Sequence, residues 1–388
     1  MKILENIKLA PYTTFKIGGK AKFFGIVKNI EDLKEGVSFS EKNSLPLLIL
    51  GGGSNLLISD KGFNGLVLKI EIKDLEARLP SGNEVEIVAG AGIILDELIE
   101  ETTQKNLWGM ENLSWIPGTV GASVVQNCGA FRVEAKDLIS WLEILNIETG
   151  EILKLNNKEC QFSYRNSIFK QKPNWIVTRV CFILRILDNE TLDRFANARE
   201  PACRQAGTTK QSFSLTDFAS QNPSRSVDNQ SNEDGRGRAS SVTIAPQSSL
   251  RGTKQSREKT TSQDARNEII EKRKKNFPLN EGLGSAGCFF KNPIISKNEF
   301  EKLKEKFPEV PNFEEGENVK IPIAWFIDKF GWKGFCEGEV GVYDKHALML
   351  VNKGQGTCEE IKNLAQKISN DVFKKTGLKL EEEVVIVN

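Results

Sequence analysis

Histidine is almost absent from this chain: His346 is the single one in 388 residues. A metal centre built on imidazoles is therefore excluded, and no metal is expected. The seven cysteines (Cys128, Cys160, Cys181, Cys203, Cys288, Cys336 and Cys358) are odd in number and scattered. None falls in a Cys-x-x-Cys pair, so neither a zinc site nor a disulfide framework is indicated. Neither sign of charge dominates, with Lys+Arg at 53, Asp+Glu at 52 and a net charge of +1. That balance leaves no electrostatic footprint for nucleic acid or a membrane surface. No apolar run approaches the length of a membrane span. The opening "MKILENIKLA" lacks the basic-then-apolar pattern of an export signal. Reduced thiols and a cytoplasmic location are the expectation.

What is present is enough chain for two or three domains. The first 187 residues read as strands with a few helices. "LPLLIL" (45–50), "GLVLKI" (65–70) and "EVEIVAGAG" (84–92) are strand candidates. "ILDELIEETTQKNL" carries Leu95, Leu98, Ile99 and Thr102 at helical spacing. "LEILNIETGEILKL" predicts a hairpin about Thr149-Gly150.

Composition then shifts. From about Asn189 to Arg266 the chain is rich in Ser, Gln, Thr, Arg and Asn, has no Trp or Tyr, and shows no apolar period. "GTTKQS" at 207–212 is nearly echoed by "GTKQS" at 252–256. Such a segment buries too little apolar surface to offset its ordering entropy. A disordered insertion over 189–266 is expected. Helical patterns return in "NEIIEKRKKNFP", "SKNEFEKLKEKFP" and "TCEEIKNLAQKISNDVFKKTG". In the last, Thr357 and Glu360 form a capping-box pattern and Gly377 suits the C-terminal cap. The closing "LKLEEEVVIV" alternates as a strand, with Glu381 and Glu383 on the face opposite Leu378 and Leu380.

Several short stretches could carry chemistry, and each also has a plain reading. "ILGGGSNLL" offers backbone N–H groups of Gly51, Gly52, Gly53, Ser54 and Asn55 to an anion, or simply turns. "WIPGTVGASVVQNCGAF" admits a planar ligand close to the backbone, or packs tightly. Arg165 in "FSYRNSIFK" is a donor for a carboxylate or oxyanion, or a surface residue. Glu383 is an acid/base group or an edge residue, and His346 is a strand-end polar residue. Cys288 in "GSAGCFFKNP" is a reagent or an inert core thiol.

Taken in order, "YTTFKIGGKA", "LGGGSNLL", "IPGTVGASVVQNCGAF", "FSYRNSIFK", "GSAGCFFKNP", "KHALMLVN" and "LEEEV" resemble the UDP-N-acetylenolpyruvoylglucosamine reductase family. The resemblance covers the chain outside the insertion. It implies an α+β fold: a two-part FAD-binding region of the vanillyl-alcohol-oxidase-like type plus a C-terminal α/β substrate-binding domain. The implied division is 1–70 (joined by the final strand, 378–388) and 71–188 for FAD, the insertion at 189–266, and 267–377 for substrate.

The resemblance also implies an activity, in which UDP-N-acetylglucosamine enolpyruvate becomes UDP-N-acetylmuramate in peptidoglycan precursor synthesis. NADPH, the co-substrate, reduces non-covalent FAD; hydride passes to C3 of the enolpyruvyl group and a proton to C2. Arg165 and Glu383 are the implied groups that polarise the carboxylate and stabilise the enolate, and Cys288 is the implied proton donor. The FAD residues implied are Gly51, Gly52, Gly53, Ser54 and Asn55 in the first loop. In the second they are Pro117, Gly118, Thr119, Gly121, Ala122, Gln126, Asn127 and Gly129. Tyr164, Lys291, Asn292 and His346 fall to the substrate. A monomer without nucleic-acid or membrane partners is expected.

Two features depart from the family pattern. Better-known members carry serine at the place of Cys288; a thiol, with a reference pKa of about 8.5, still has one proton to give. No tyrosine lies between Tyr164 and Tyr343, so this chain resembles the form that lacks a Tyr-bearing loop over the substrate. The rival readings are a related flavoprotein with another substrate and a non-catalytic nucleotide-binding scaffold. The "GSAGCFFKNP" stretch with Glu383 argues against the first, and intact Arg165 and Glu383 against the second.

Overall fold

The computed structural model describes residues 1–79, 82–188, 191, 212–213 and 261–388. Short apolar runs rich in Leu, Ile and Val form its first sheet. Its strands, in order, are Ile3–Lys8, Lys20–Val27, Phe63–Ile70 and Leu47–Leu50. The first pair is antiparallel and the other two pairs are parallel. Leu66, Val67 and Leu68 are all fully buried, as expected of a strand covered on both faces. Helix α1 (Ile30–Lys42) packs on this sheet, its start capped by the Asn29 side chain accepting from the Asp32 amide.

The second sheet is antiparallel. Its main path runs Ile152–Asn156, Ile139–Asn146, Trp175–Ile186, Glu84–Gly90, Leu75–Arg78 and Ser212–Phe213. The hairpin expected about Thr149-Gly150 is its outer edge, with Gly150 at φ +71°. Helices α2 (Leu95–Gln104) and α3 (Val120–Gln126) lie against this part of the chain. Leu95, Leu98, Ile99 and Thr102, the predicted inner face of α2, are all buried.

Helix α4 (Ser262–Lys274) corrects one expectation. Most of 189–266 lies outside the described residues, but 262–266 are helical. Thr261 and Asp264 form a capping box at the start of α4. The Ser262 hydroxyl donates to the Thr103 carbonyl at 3.0 Å. Arg266, only 4% exposed, makes a two-pronged contact with Asp96 at 2.5 and 3.1 Å. Side-chain pairing holds this turn where composition predicted no core. Helix α4 packs against α2, so 267–274 sit with the second sheet and not with the C-terminal domain.

Beyond it, strands and helices alternate. Strands Ile294–Ser296, Asn318–Lys320 and Phe313–Glu315 form one small antiparallel sheet. Strands Cys336–Glu337, Val340–Val342 and Leu350–Asn352 form another. Helices α5 (Lys297–Lys306), α6 (Ile323–Lys329) and α7 (Cys358–Thr376) complete the domain. The capping box at Thr357 and Glu360 and the left-handed Gly377 close α7 as predicted. Its stripe of Ile361, Leu364, Ala365, Ile368 and Val372 is buried.

Two features join this domain to the first. Phe15, Ile17 and Leu57 pack into its core beside Phe289 and Phe290. The final strand, Val385–Val387, pairs in parallel with Leu56–Ile58. That strand is shorter than the alternation in "LKLEEEVVIV" suggested. Residues 381–383 instead bond piecewise to the stretch after Gly287: the Lys291 amide to the Glu381 carbonyl, the Glu383 amide to the Phe289 carbonyl. None of the six described cysteines is in a disulfide.

Candidate active site

A cavity of about 560 Å³ opens where the two halves meet. One wall is backbone. Gly52 faces Gly118 so closely that a Cβ on Gly52 would lie 2.7 Å from the Gly118 Cα. Gly53 has φ +62°, and a Cβ there would lie 2.0 Å from the Tyr12 carbonyl oxygen. Both positions demand glycine, and the missing side chains let the two loops approach each other closely at the cavity wall. Thr119 caps α3, its hydroxyl accepting from the Ala122 amide at 3.4 Å.

All five first-loop candidates line the cavity, as do Pro117, Gly118, Thr119, Gly121, Ala122, Gln126 and Gly129. Asn127 is the exception. It is fully buried behind the wall in the left-handed conformation, φ 46°. Its amide donates to Glu134 and to the Ser163 carbonyl, and its Oδ1 accepts from the Lys136 amide. Asn127 shapes the loop and does not face the cavity. A small, mostly apolar cavity with two apposed glycine loops fits a bound dinucleotide such as FAD, whose phosphates need bare N–H donors.

The opposite wall is side chains. Arg165, with backbone φ +52°, places Nε 3.0 Å from Glu383 Oε1. The contact is an ion pair and not an in-line hydrogen bond, because that Nε has no aligned acceptor. Burial disfavours the charged guanidinium and Glu383 favours it; the balance is upward. Arg165 also donates to the Gly129 carbonyl at 3.1 Å. Glu383 Oε1 accepts from Gln126 Nε2 at 2.9 Å, and its carbonyl accepts from Asn55 Nδ2 at 3.1 Å. With its amide on Phe289, Glu383 ties together both glycine loops, the "FSYRNSIFK" stretch and the "GSAGCFFKNP" stretch.

Cys288 lines the same cavity, bridged to Met349. Burial first, then the Glu383 carboxylate, push its thiol up to about 12, against the pull of Arg165 and Arg273. It is therefore fully protonated near neutrality, and its acidity approaches that of a hydroxyl more than a free thiol's does. Gly287 beside it has φ +75°.

The substrate candidates divide. Tyr164, Lys291 and Asn292 line a second groove, of about 1100 Å³, against α5. Within it Lys291 Nζ lies 3.3 Å from Glu381. Asn292 Oδ1 accepts from the Ile323 amide at 3.0 Å and so anchors the start of α6. His346 lines neither space. Its Nδ1 accepts from the Leu348 amide at 3.3 Å, and burial lowers its pKa. That is the plain reading of a strand-end polar residue.

Among the cavity residues that escaped the sequence reading are Lys170, Arg273 and Ser285. Lys170 closes "FSYRNSIFK" and so carried a positional signal. Its ammonium donates to Gln126 Oε1 at 2.5 Å and to the Arg165 carbonyl at 2.7 Å. Burial, then Lys291 and Arg165, lower its pKa to about 8 although Glu383 raises it. Arg273 gave no signal within a run of lysines and arginines. Among the described residues no cluster of three His, Cys, Asp or Glu could hold a metal, and no helix is long and apolar enough to cross a membrane.

Comparison with known proteins agrees with this geometry. Residues 21–156 match a family described as an FAD binding domain. Residues 277–387 match the UDP-N-acetylenolpyruvoylglucosamine reductase C-terminal domain. The UDP-N-acetylenolpyruvoylglucosamine reductase of Flavobacterium johnsoniae is 33% identical, covering 100% of both chains. That of Pseudomonas aeruginosa is 31% identical over 99% of this chain and 98% of its own. The crystal structure of the Thermus caldophilus reductase matches with a TM-score of 0.60 at 22% identity, covering 100% of each chain, which supports the fold. With that identity sustained over the whole length, and both halves matched in order around one cavity, the chain belongs to the UDP-N-acetylenolpyruvoylglucosamine reductase family.

Proposed function

We propose that Arg165, Glu383 and Cys288 carry out the second half of the family's reaction in this chain. The chain is an FAD-dependent oxidoreductase that reduces UDP-N-acetylglucosamine enolpyruvate in peptidoglycan synthesis, with NADPH as co-substrate. When bound, FAD would supply the hydride relay between NADPH and C3 of the enolpyruvyl group. The remaining work falls to side chains. The Cys288 thiol delivers the proton to C2, and its raised pKa keeps that proton in place until carbanion character develops beside it. Arg165 offers its guanidinium to the enolate oxygens. Glu383 fixes the orientation of Arg165 and Gln126. Gly51–Asn55 and the Pro117–Gly129 loop hold the cofactor. The groove with Tyr164, Lys291 and Asn292 takes the nucleotide side of the substrate.

The observation that carries this assignment is the Glu383 junction, which joins four separate sequence stretches at one point. We place the protein in the cytoplasm, as a monomer acting on small nucleotides and not on nucleic acid or membranes. The first test is turnover by purified protein. NADPH consumption should require UDP-N-acetylglucosamine enolpyruvate and match, mole for mole, a product heavier by two hydrogens. Flavin that NADPH reduces but this substrate cannot reoxidise would favour a related flavoprotein with another substrate.

A further inference from the structure

The turn that leads into the second glycine loop is held in a costly backbone conformation. Trp115 has φ +62°, a region that disfavours a bulky residue by about 5–30-fold in population. Its ring packs edge-on to Phe277, with centroids 6.3 Å apart. Its amide donates to Asp96 Oδ1 at 2.5 Å. Asp96 lies in the first turn of α2, and its neighbours hold the same loop twice more. The Leu95 amide donates to the Gly118 carbonyl at 3.0 Å, and the Ile93 carbonyl accepts from the Val120 amide at 2.9 Å. Those two bonds are backbone. The third depends on one carboxylate.

That carboxylate is itself fixed. Arg266, in the second turn of α4 and only 4% exposed, clamps both of its oxygens, at 2.5 and 3.1 Å. Neither Asp96 nor Arg266 lines the cavity, but Ile116, Pro117 and Gly118, which follow Trp115, do. We propose that Asp96, held in place by Arg266, is a positioning residue for FAD. It keeps Trp115 in the left-handed conformation from which the Pro117–Gly129 loop sets out toward the cofactor. Without that acceptor Trp115 relaxes to ordinary backbone. The loop then spends only a fraction of its time in the binding geometry, and affinity falls by that fraction. This rests on the assignment of the loop to FAD, and not on the roles of Arg165, Glu383 and Cys288.

The test is the FAD dissociation constant, read by serial dilution of holoprotein from the flavin fluorescence that appears on release. Melting in excess FAD is followed alongside. Asp96→Ala should weaken FAD binding by roughly 5–30-fold. It leaves Arg266 a buried charge without its partner, which destabilises the fold. The companion variant Asp96→Ala/Arg266→Met removes that charge and should show the same weakening. Asp96→Asn keeps an acceptor for the Trp115 amide and loses the ion pair, so it should melt lower yet hold FAD nearly as wild type does. Trp115→Gly adopts the left-handed backbone freely, so adding it to the companion variant should restore most of the affinity. Glycine would not rescue the loss of a merely structural ion pair. Wild-type affinity in the companion variant, or no recovery on adding Trp115→Gly, would overturn the proposal. A wild type that takes up no FAD would instead overturn the cofactor reading, and this inference with it.

Discussion

The two walls of the central cavity are made of different material. The wall of residues 51–55 and 117–129 is peptide backbone held close by absent side chains. The facing wall is charged side chains, Arg165, Lys170, Arg273 and Glu383, brought from distant stretches. A backbone wall is specified locally, because each glycine is demanded by its own φ or its own close neighbour. A side-chain wall is specified only by the fold. Mutations should therefore strike the first wall as loss of cofactor and the second as loss of one chemical step.

Gly53→Ala should show the largest effect. The left-handed backbone alone costs a non-glycine residue about 1–2 kcal/mol, and the new Cβ would meet the Tyr12 carbonyl oxygen at 2.0 Å. The protein should purify with little or no yellow colour. Full flavin content in this variant, measured by the visible absorbance band, would break the distinction between the walls. Lys170→Met should show the smallest. Lys170 loses its charge as pH rises through about 8, so wild type should bind the anionic enolpyruvyl substrate less well above that pH. The loss should be about fivefold, the worth of roughly 1 kcal/mol between unit charges in water-like surroundings. Lys170→Met should bind at the weaker level throughout, with no such pH step in a titration of binding against pH.

The walls also differ in how they read in the sequence. Gly51–Gly53 and the small-residue run at 117–129 stood out on composition. The capping box of α7 and the hairpin at Gly150 were equally plain, because local chemistry sets them. The roles proposed for Arg165, Cys288 and Glu383 came only from the order of motifs matching a family, since no spacing in a chain predicts contacts 218 residues apart, the separation of Arg165 and Glu383 (383 − 165). Asn127 misled because it sits inside a cofactor-facing motif, yet its side chain turns back to brace the loop. The start of α4 was missed because one buried ion pair, Arg266 with Asp96, outweighs a polar composition. The raised pKa of Cys288, half-buried at the cavity wall, was also illegible. A thiol pushed to about 12 carries little thiolate, so alkylation should be slow and a poor probe of this site.

The central claim is that the side-chain wall serves only the step that consumes the enolpyruvyl substrate. Stopped-flow absorbance of the two half-reactions in wild type and Cys288→Ala tests it most directly. Reduction of the flavin by NADPH should be nearly unchanged, because it needs no proton at substrate C2. Reoxidation by substrate should slow by about 10²–10⁴-fold, the range for a lost general acid. Cys288→Ser should recover much of that rate. Equal slowing of both half-reactions, or of neither, would contradict the assignment and leave Cys288 as packing.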